Sequence, residues 1–236
     1  IGGLSFNNDV RNLSPCNVIV GTPGRIIQLI RDGYLLTDSL HMFILDEADK
    51  MLQEGLMKQA TLEILGCLPQ TIQHICVSAT YTQEMLAQLD ALIPNPEHLL
   101  IATGNPTLEG VKQYYLAAPD NVVSKGIGGV YTWKFEKLVS ILKSISFHQC
   151  IIFCNAAVRT GALVDKLNAQ GWATRCISSQ LNQKERLCAV EDFRAFRFRI
   201  LLSSDLVARG LDIDRINLVI NLDLPQDAET YLHRIG

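Results

Sequence analysis

Short apolar runs alternate with helical patterns along most of the chain. The runs Asn17–Val20, Met42–Leu45, Ile72–Val77, Leu99–Ala102, Val111–Ala117, Ile151–Phe153, Thr174–Ile177, Ile200–Leu202 and Leu218–Asn221 read as strands. They are short and lack clean polar alternation, as expected of parallel strands covered on both faces. Between them, apolar positions recur at helical spacing. Ile26, Ile27, Leu29 and Ile30 follow Pro23-Gly24, and Leu138, Ile141, Leu142 and Ile145 form a second stripe. Leu163, Val164 and Leu167 form a third, and Leu187, Val190 and Phe193 a fourth. Strands and helices in alternation predict an α/β fold with mostly parallel sheets.

The alternation breaks between Gly104 and Tyr131, where Pro106, Gly110, Pro119, Gly126, Gly128 and Gly129 crowd around one predicted strand. Glycine and proline at that density mark a linker or long loop. The expected boundary lies near Asn105, giving domains 1–104 and 105–236, with a loop insertion at 119–131. A single domain with an exposed insertion would produce the same break; the motifs described next favour two.

Composition narrows the class only slightly. The 236 residues suffice for one large domain or two small ones, and 48% hydrophobic with 19% charged residues excludes a disordered chain. A net charge of −3 neither shows nor excludes a nucleic-acid binder, because phosphate contacts need a local basic stripe rather than a basic total. The seven cysteines are odd in number and lack C-x-x-C spacing, so they read as small buried hydrophobes in a reducing compartment. No apolar run approaches the ~20 residues of a membrane span, and no signal peptide opens the chain. The start at Ile1, without methionine, reads as that of a fragment.

The chemistry gathers at predicted strand ends. Asp46-Glu47-Ala48-Asp49 follows Met42–Leu45 directly. Carboxylates at the carboxyl end of a parallel strand sit where α/β folds place ligands. One can hold Mg²⁺ through its waters and a second can deprotonate an attacking water. The same acids would also suit the start of a helix, whose dipole favours negative charge. Thr22-Pro23-Gly24-Arg25 follows Asn17–Val20, and Ser78-Ala79-Thr80 follows Ile72–Val77. Each could be a helix cap or a phosphate seat. Three such elements at one sheet edge are hard to explain as caps alone.

In order and wording these elements resemble the DEAD-box family of ATP-dependent RNA helicases. Gly2-Gly3 resembles its double-glycine element, Thr22–Arg25 its T-P-G-R, Asp46–Asp49 the motif that names it, and Ser78–Thr80 its S-A-T. Further on, Ile151–Asn155 resembles motif IV and Gln183 with Arg186 its Q-x-x-R element. Ser204-Asp205 through Arg209-Gly210-Leu211-Asp212 resembles motif V, and His233–Gly236 the opening of motif VI. The resemblance spans the whole chain.

It implies two RecA-like domains, the first truncated at its N-terminus, with ATP and Mg²⁺ as cofactors and single-stranded or short duplex RNA as partner. Asp46 would hold Mg²⁺ through water, and Glu47 would be the general base. Asp49 would meet the last motif around His233, with His233 and Arg234 counted among the catalytic residues, while Ser78 and Thr80 couple hydrolysis to domain closure. Gly210 and Asp212 would reach the nucleotide from the second domain. Gly3, Thr22, Gly24, Arg25, Gln183, Arg186 and Ser204 would meet RNA, mainly its phosphates and sugars; such contacts are blind to sequence. The implied location is cytoplasmic or nuclear.

The chain also departs from the pattern. Ser178-Ser179 stands where the family shows a small residue followed by glycine, which puts close RNA approach there in doubt. Ser204 replaces the usual threonine and keeps the hydroxyl. Ser78–Tyr81, and Asn221–Pro225 running on to His233, resemble the branch containing the DEAD-box subunit of the SMN complex, which implies ribonucleoprotein-assembly proteins as partners. No G-x-x-x-x-G-K-[ST] occurs, and the family's arginine fingers would fall past Gly236, so these 236 residues alone are expected not to hydrolyse ATP. An RNA-binding clamp or assembly scaffold with a dispensable ATPase is the competing expectation; a DNA helicase is disfavoured by the motif order. Outside the motifs, Phe193, Phe196 and Phe198 are expected in the core, with Arg194, Arg197 and Arg199 facing solvent.

Overall fold

A computed structural model describes residues 5–14, 16–100, 110–155, 157–178, 181–204 and 213–235. The chain divides into two compact units, Ile1–Asn105 and Pro106–Gly236.

In the first unit α1 (Phe6–Leu13) and α2 (Pro23–Arg31) precede β1 (Met42–Leu45), α3 (Ala48–Met51), α4 (Leu56–Gly66), β2 (Gln73–Cys76) and α5 (Gln83–Leu92). Strands β1 and β2 pair in parallel, Met42 opposite Gln73 through Leu45 opposite Cys76. Their carboxyl ends therefore share one edge. Leu45, Ala48, Leu52, Met85 and Leu89 form the core beneath that edge.

The second unit runs α6 (Asp120–Val123), α7 (Gly126–Ser144), β3 (Gln149–Phe153), α8 (Ala157–Ala169), β4 (Thr174–Ile177), α9 (Gln183–Arg194), β5 (Ile200–Ser203), β6 (Ile216–Asn221) and α10 (Ala228–Ile235). Its sheet has the order β4-β5-β3-β6, and every pairing is parallel. β3 is buried along its whole length, which is why its sequence is continuously apolar after Gln149. Leu138, Leu142, Ile152, Leu163, Leu167 and Leu202 fill one face. Each such side chain contributes about 1.5–3 kcal/mol by leaving water. Phe193 and Phe198 fill the other face with ring centroids 5.1 Å apart, whereas Phe196 is 39% exposed in a left-handed turn at φ 60°.

Three expected strands differ. Asn17–Val20 runs outside the sheet, with Val18 and Val20 78% and 89% exposed. Val111–Ala117 is likewise unladdered, with Tyr114 and Tyr115 87% and 91% exposed. An apolar run becomes a strand only where a neighbour supplies a ladder, and among the described residues neither run has one. Leu99 and Leu100 are also unpaired, and the rest of that run lies outside the described residues. The loop expected at 119–131 is helical: α6 and the first turns of α7 occupy it. Gly126, at φ 70°, turns the chain between the two helices. A Cβ at Gly129 would lie 2.4 Å from Lys125 Cβ, so glycine there permits the close helix junction. The cysteines are mixed. Cys150 and Cys154 are buried, and burial pushes the Cys150 thiol far up, but Cys16, Cys67 and Cys188 are exposed.

Just past β6, Asp223 ties the end of the sheet together. Its Oδ1 accepts from Lys134 Nζ of α7 at 2.6 Å, and its Oδ2 accepts from the Asn155 amide beyond β3 at 3.1 Å. Burial alone would raise its pKa; the Lys134 hydrogen bond and charge, the Cys154 thiol and the Asn155 amide outweigh it and hold the carboxyl below its ordinary range. A depressed carboxyl stabilises the fold above its unfolded pKa, near 3.9, and loses that contribution as pH falls through the folded value. Asp223→Asn is expected to cost about 1 kcal/mol at neutral pH. In urea titrations, the gap between wild type and variant should hold above about pH 5 and close below about pH 4. A gap that grows on acidification contradicts this assignment.

Candidate functional site

The edge of the first unit carries a turn and a loop that hold each other. After β1 the chain bends at Asp46, and Glu47 adopts the left-handed conformation at φ 49°, ψ 49° before α3 starts. A non-glycine residue there costs about 1–2 kcal/mol, which surrounding contacts must offset. They do so from both sides. Asp46 Oδ1 accepts from the Glu47 amide at 2.9 Å, and the Ala48 amide donates to the Val77 carbonyl at 3.1 Å. Asp46 is exposed and Glu47 half-buried, so both carboxylates are presented at the edge.

Asp49 points inward. It is only 9% exposed, and its Oδ2 accepts from Thr80 Oγ1 at 2.9 Å. Its Oδ1 accepts from the Lys50 amide at 2.8 Å, and its own amide donates to Ser78 Oγ at 3.4 Å. Asp46, Glu47, Asp49, Ser78 and Thr80 are therefore brought together, with Asp49 as the member that joins the two segments.

Thr22 caps α2 through its backbone, without a side-chain bond, and Pro23 occupies the first turn. Thr22 and Gly24 are exposed, and a Cβ at Gly24 would meet nothing within 4 Å. The helix start is thus open to a ligand. Arg25, expected to meet RNA, is paired within its own unit: Nη1 donates to Asp9 Oδ2 at 2.7 Å and the guanidinium lies 5.4 Å above the Phe6 ring. It fastens α1 to α2. Nothing in the local sequence pattern marks Asp9 as its partner, because the pairing bridges separate helices.

In the second unit, Gln183 and Arg186 lie one turn apart at the start of α9, on one face and both half-buried. That start is fixed by a reciprocal cap: Asn182 Oδ1 accepts from the Glu185 amide, and Glu185 Oε2 accepts from the Asn182 amide, each at 2.9 Å. Ser204, 9% exposed, follows β5 and donates its amide to Ile177 at 3.4 Å. His233 is half-buried on α10. Arg234, expected beside it in a catalytic role, turns into its own unit. It is 5% exposed; Nη1 donates to Asn221 Oδ1 at 2.8 Å and the Asp223 carbonyl at 2.7 Å, and Nη2 to Asn155 Oδ1 at 2.8 Å. The guanidinium also lies 4.8 Å above the Phe153 ring, so it clamps α10 to the ends of β3 and β6. Beside this clamp Lys134, Asn155, Arg159, Asp223 and Leu224 line an open cleft of about 550 Å³. Gly3, Gly210 and Asp212 lie outside the described residues.

Comparison with known proteins agrees with this arrangement of motifs. The DEAD/DEAH box helicase model matches residues 1–89, and the helicase conserved C-terminal domain model matches residues 133–236. The chain is 39% identical over 236 residues to the probable ATP-dependent RNA helicase DDX20 of Mus musculus, covering all of this chain and 28% of that protein. It is 40% identical over 237 residues to the ATP-dependent RNA helicase eIF4A of Candida albicans, covering 57% of it. The chain thus spans about half, or less, of the length of these relatives. Among solved structures, S. cerevisiae Dbp5 bound to RNA and ADP BeF3 superposes with a TM-score of 0.81 at 29% identity, over 93% of this chain and 55% of that one. The parallel α/β units are two RecA-like domains. With both helicase models met in succession and similarity to such helicases running from end to end, the chain belongs to the DEAD-box helicase family.

Proposed function

We propose that this chain supplies the core of an RNA-stimulated ATPase that opens short RNA duplexes or remodels ribonucleoproteins. On this reading residues 1–104 are the C-terminal part of the ATP-binding domain, and residues 105–236 are the helicase C-terminal domain. The observation that carries it is the Thr80–Asp49 hydrogen bond, which holds the Ser78–Thr80 loop against the turn presenting Asp46 and Glu47.

Glu47 takes a proton from the attacking water as the water oxygen bonds to the γ-phosphorus of ATP and the bond to the leaving ADP oxygen breaks. Its left-handed backbone and the Asp46 contact to its amide fix where that carboxylate starts. Asp46 suits a hydrated Mg²⁺: it is exposed, and Mg²⁺ prefers few carboxylates and keeps several waters. Bound there, the ion would neutralise phosphate charge. Asp49, Ser78 and Thr80 transmit the state of the site to the loop. His233, half-buried on α10, is assigned the catalytic part of the last motif, and Arg234 is assigned a positioning role. Gly210 and Asp212 are assigned to the nucleotide.

RNA is assigned to Gly3, Thr22, Gly24, Arg25, Gln183, Arg186 and Ser204. At Thr22 and Gly24 the free amides of a helix start attract phosphate, while Arg25, paired with Asp9, contributes mainly by fixing that start. Ribonucleoprotein-assembly proteins are assigned as partners on the resemblance of Ser78–Tyr81 and Asn221–Pro225 to the SMN-complex branch of the family. No described helix is long and apolar enough to cross a membrane, and a cytoplasmic or nuclear location follows from the proposed substrate.

Two variants of the full-length protein test this reading. Glu47→Gln should lower RNA-stimulated ATP turnover by about 10²–10⁴-fold and leave RNA affinity in place. Unchanged turnover would remove the general-base role and favour a clamp. Gly24→Ala has space for its methyl within the fold, so its melting temperature should not fall. The added Cβ should instead obstruct RNA, weakening binding roughly tenfold in a fluorescence-anisotropy titration. Wild-type RNA affinity in that variant would take Gly24 out of the interface.

A further inference from the structure

The loop between β2 and α5 carries Ser78 and Thr80, and one further side chain closes it. Tyr81 packs its ring against the cluster of Leu45, Ala48, Leu52, Met85 and Leu89. Its hydroxyl does not seek water: it donates to the carbonyl of Cys76 at 2.8 Å.

That carbonyl is a specific target. Gln73 and Val77 donate their amides to His41 and Leu45 at 3.1 and 2.9 Å, and the Val77 carbonyl accepts from Ala48. Alternate residues of β2 thus direct their polar groups toward β1. The same alternation turns the Cys76 carbonyl to the other side, where β1 cannot pair it. The Tyr81 hydroxyl satisfies it and ties the residue after the loop to the residue before it. Beyond Tyr81 the chain is already fixed, because Thr82 Oγ1 accepts from the Met85 amide at 3.2 Å and caps α5.

Inside the closed loop, Thr80 donates to Asp49 and the Asp49 amide donates to Ser78. The distance between the ends of this loop therefore governs where Thr80 places its hydroxyl. Burial, followed by the nearby Cys76 thiol and Asp49 carboxylate, pushes the Tyr81 phenol up, and the Ser78 backbone draws it only part of the way back. The phenol therefore stays protonated and able to donate across the working pH range.

We propose that Tyr81 is a positioning residue for ATP hydrolysis, its hydroxyl clasping the ends of the Ser78–Thr80 loop so that Thr80 meets Asp49 beside Glu47. The inference rests on the ATPase reading above and names a residue that reading does not use. Only the hydroxyl is at issue: the ring belongs to the core, and a phenylalanine would fill the same space.

Tyr81→Phe in the full-length protein separates the two contributions. RNA-stimulated ATP turnover is measured per titrated active site, alongside wild type and Glu47→Gln. The expected result is a kcat roughly three- to tenfold lower, the scale of one lost hydrogen bond, with KM for ATP and RNA within about twofold of wild type. A purely structural role would change the melting temperature and the fraction of active sites but not kcat per site, and that outcome overturns the proposal. A wild-type kcat in Tyr81→Phe overturns it too, while leaving the ATPase reading intact if Glu47→Gln is impaired. If the wild-type protein shows no RNA-stimulated turnover, both fail together.

Discussion

The first unit is organised around one buried carboxylate. Asp49 sits at 9% exposure with a threonine hydroxyl on one oxygen and a backbone amide on the other. A carboxylate so placed is tolerable only when its oxygens are satisfied, since an unpaired buried charge costs several kcal/mol. The Asp46–Asp49 turn and the Ser78–Thr80 loop are consequently not independent. Moving them apart strips Asp49 of the Thr80 hydroxyl, while the strained backbone at Glu47 is held by Asp46 on its amide and by the Ala48–Val77 bond.

Parallel pairing makes that arrangement available. It brings successive strand ends to the same edge of each sheet, so loops far apart in sequence become neighbours without long excursions. The second unit uses the same geometry differently. Its strand ends at Phe153 and Asn221 are gripped by Arg234, whose planar guanidinium serves three acceptors and an aromatic face at once. The rigidity of that corner, reinforced by the Lys134–Asp223 pair, gives His233 a fixed helix to stand on.

Much of this was legible in the sequence. Met42–Leu45 was readable as a strand to the residue, because the acids after Leu45 end the apolar run sharply, although only Leu45 of the four is buried. The strand-end motifs were legible for the same reason. Other features required tertiary knowledge. Asn17–Val20 and Val111–Ala117 have strand composition, yet a ladder needs a neighbour that no local pattern announces. The glycines at 126, 128 and 129 read as loop punctuation, whereas the crowding of Gly129 against Lys125 makes glycine a requirement of helix packing. The partners of Arg25 and Arg234 come from distant elements, so no local pattern announced that an expected RNA contact and an expected catalytic residue are held within their own units.

On the proposed reading, Asp49 and Thr80 act as one unit in hydrolysis. A double-mutant cycle with Asp49→Asn and Thr80→Val, read as RNA-stimulated kcat/KM for ATP in the full-length protein, tests it most directly. Strong non-additivity is expected, with a coupling of about 1–3 kcal/mol, so that the double variant is little worse than the poorer single one. Effects that add to within about 0.5 kcal/mol would contradict it, because the turn and the loop would then contribute separately.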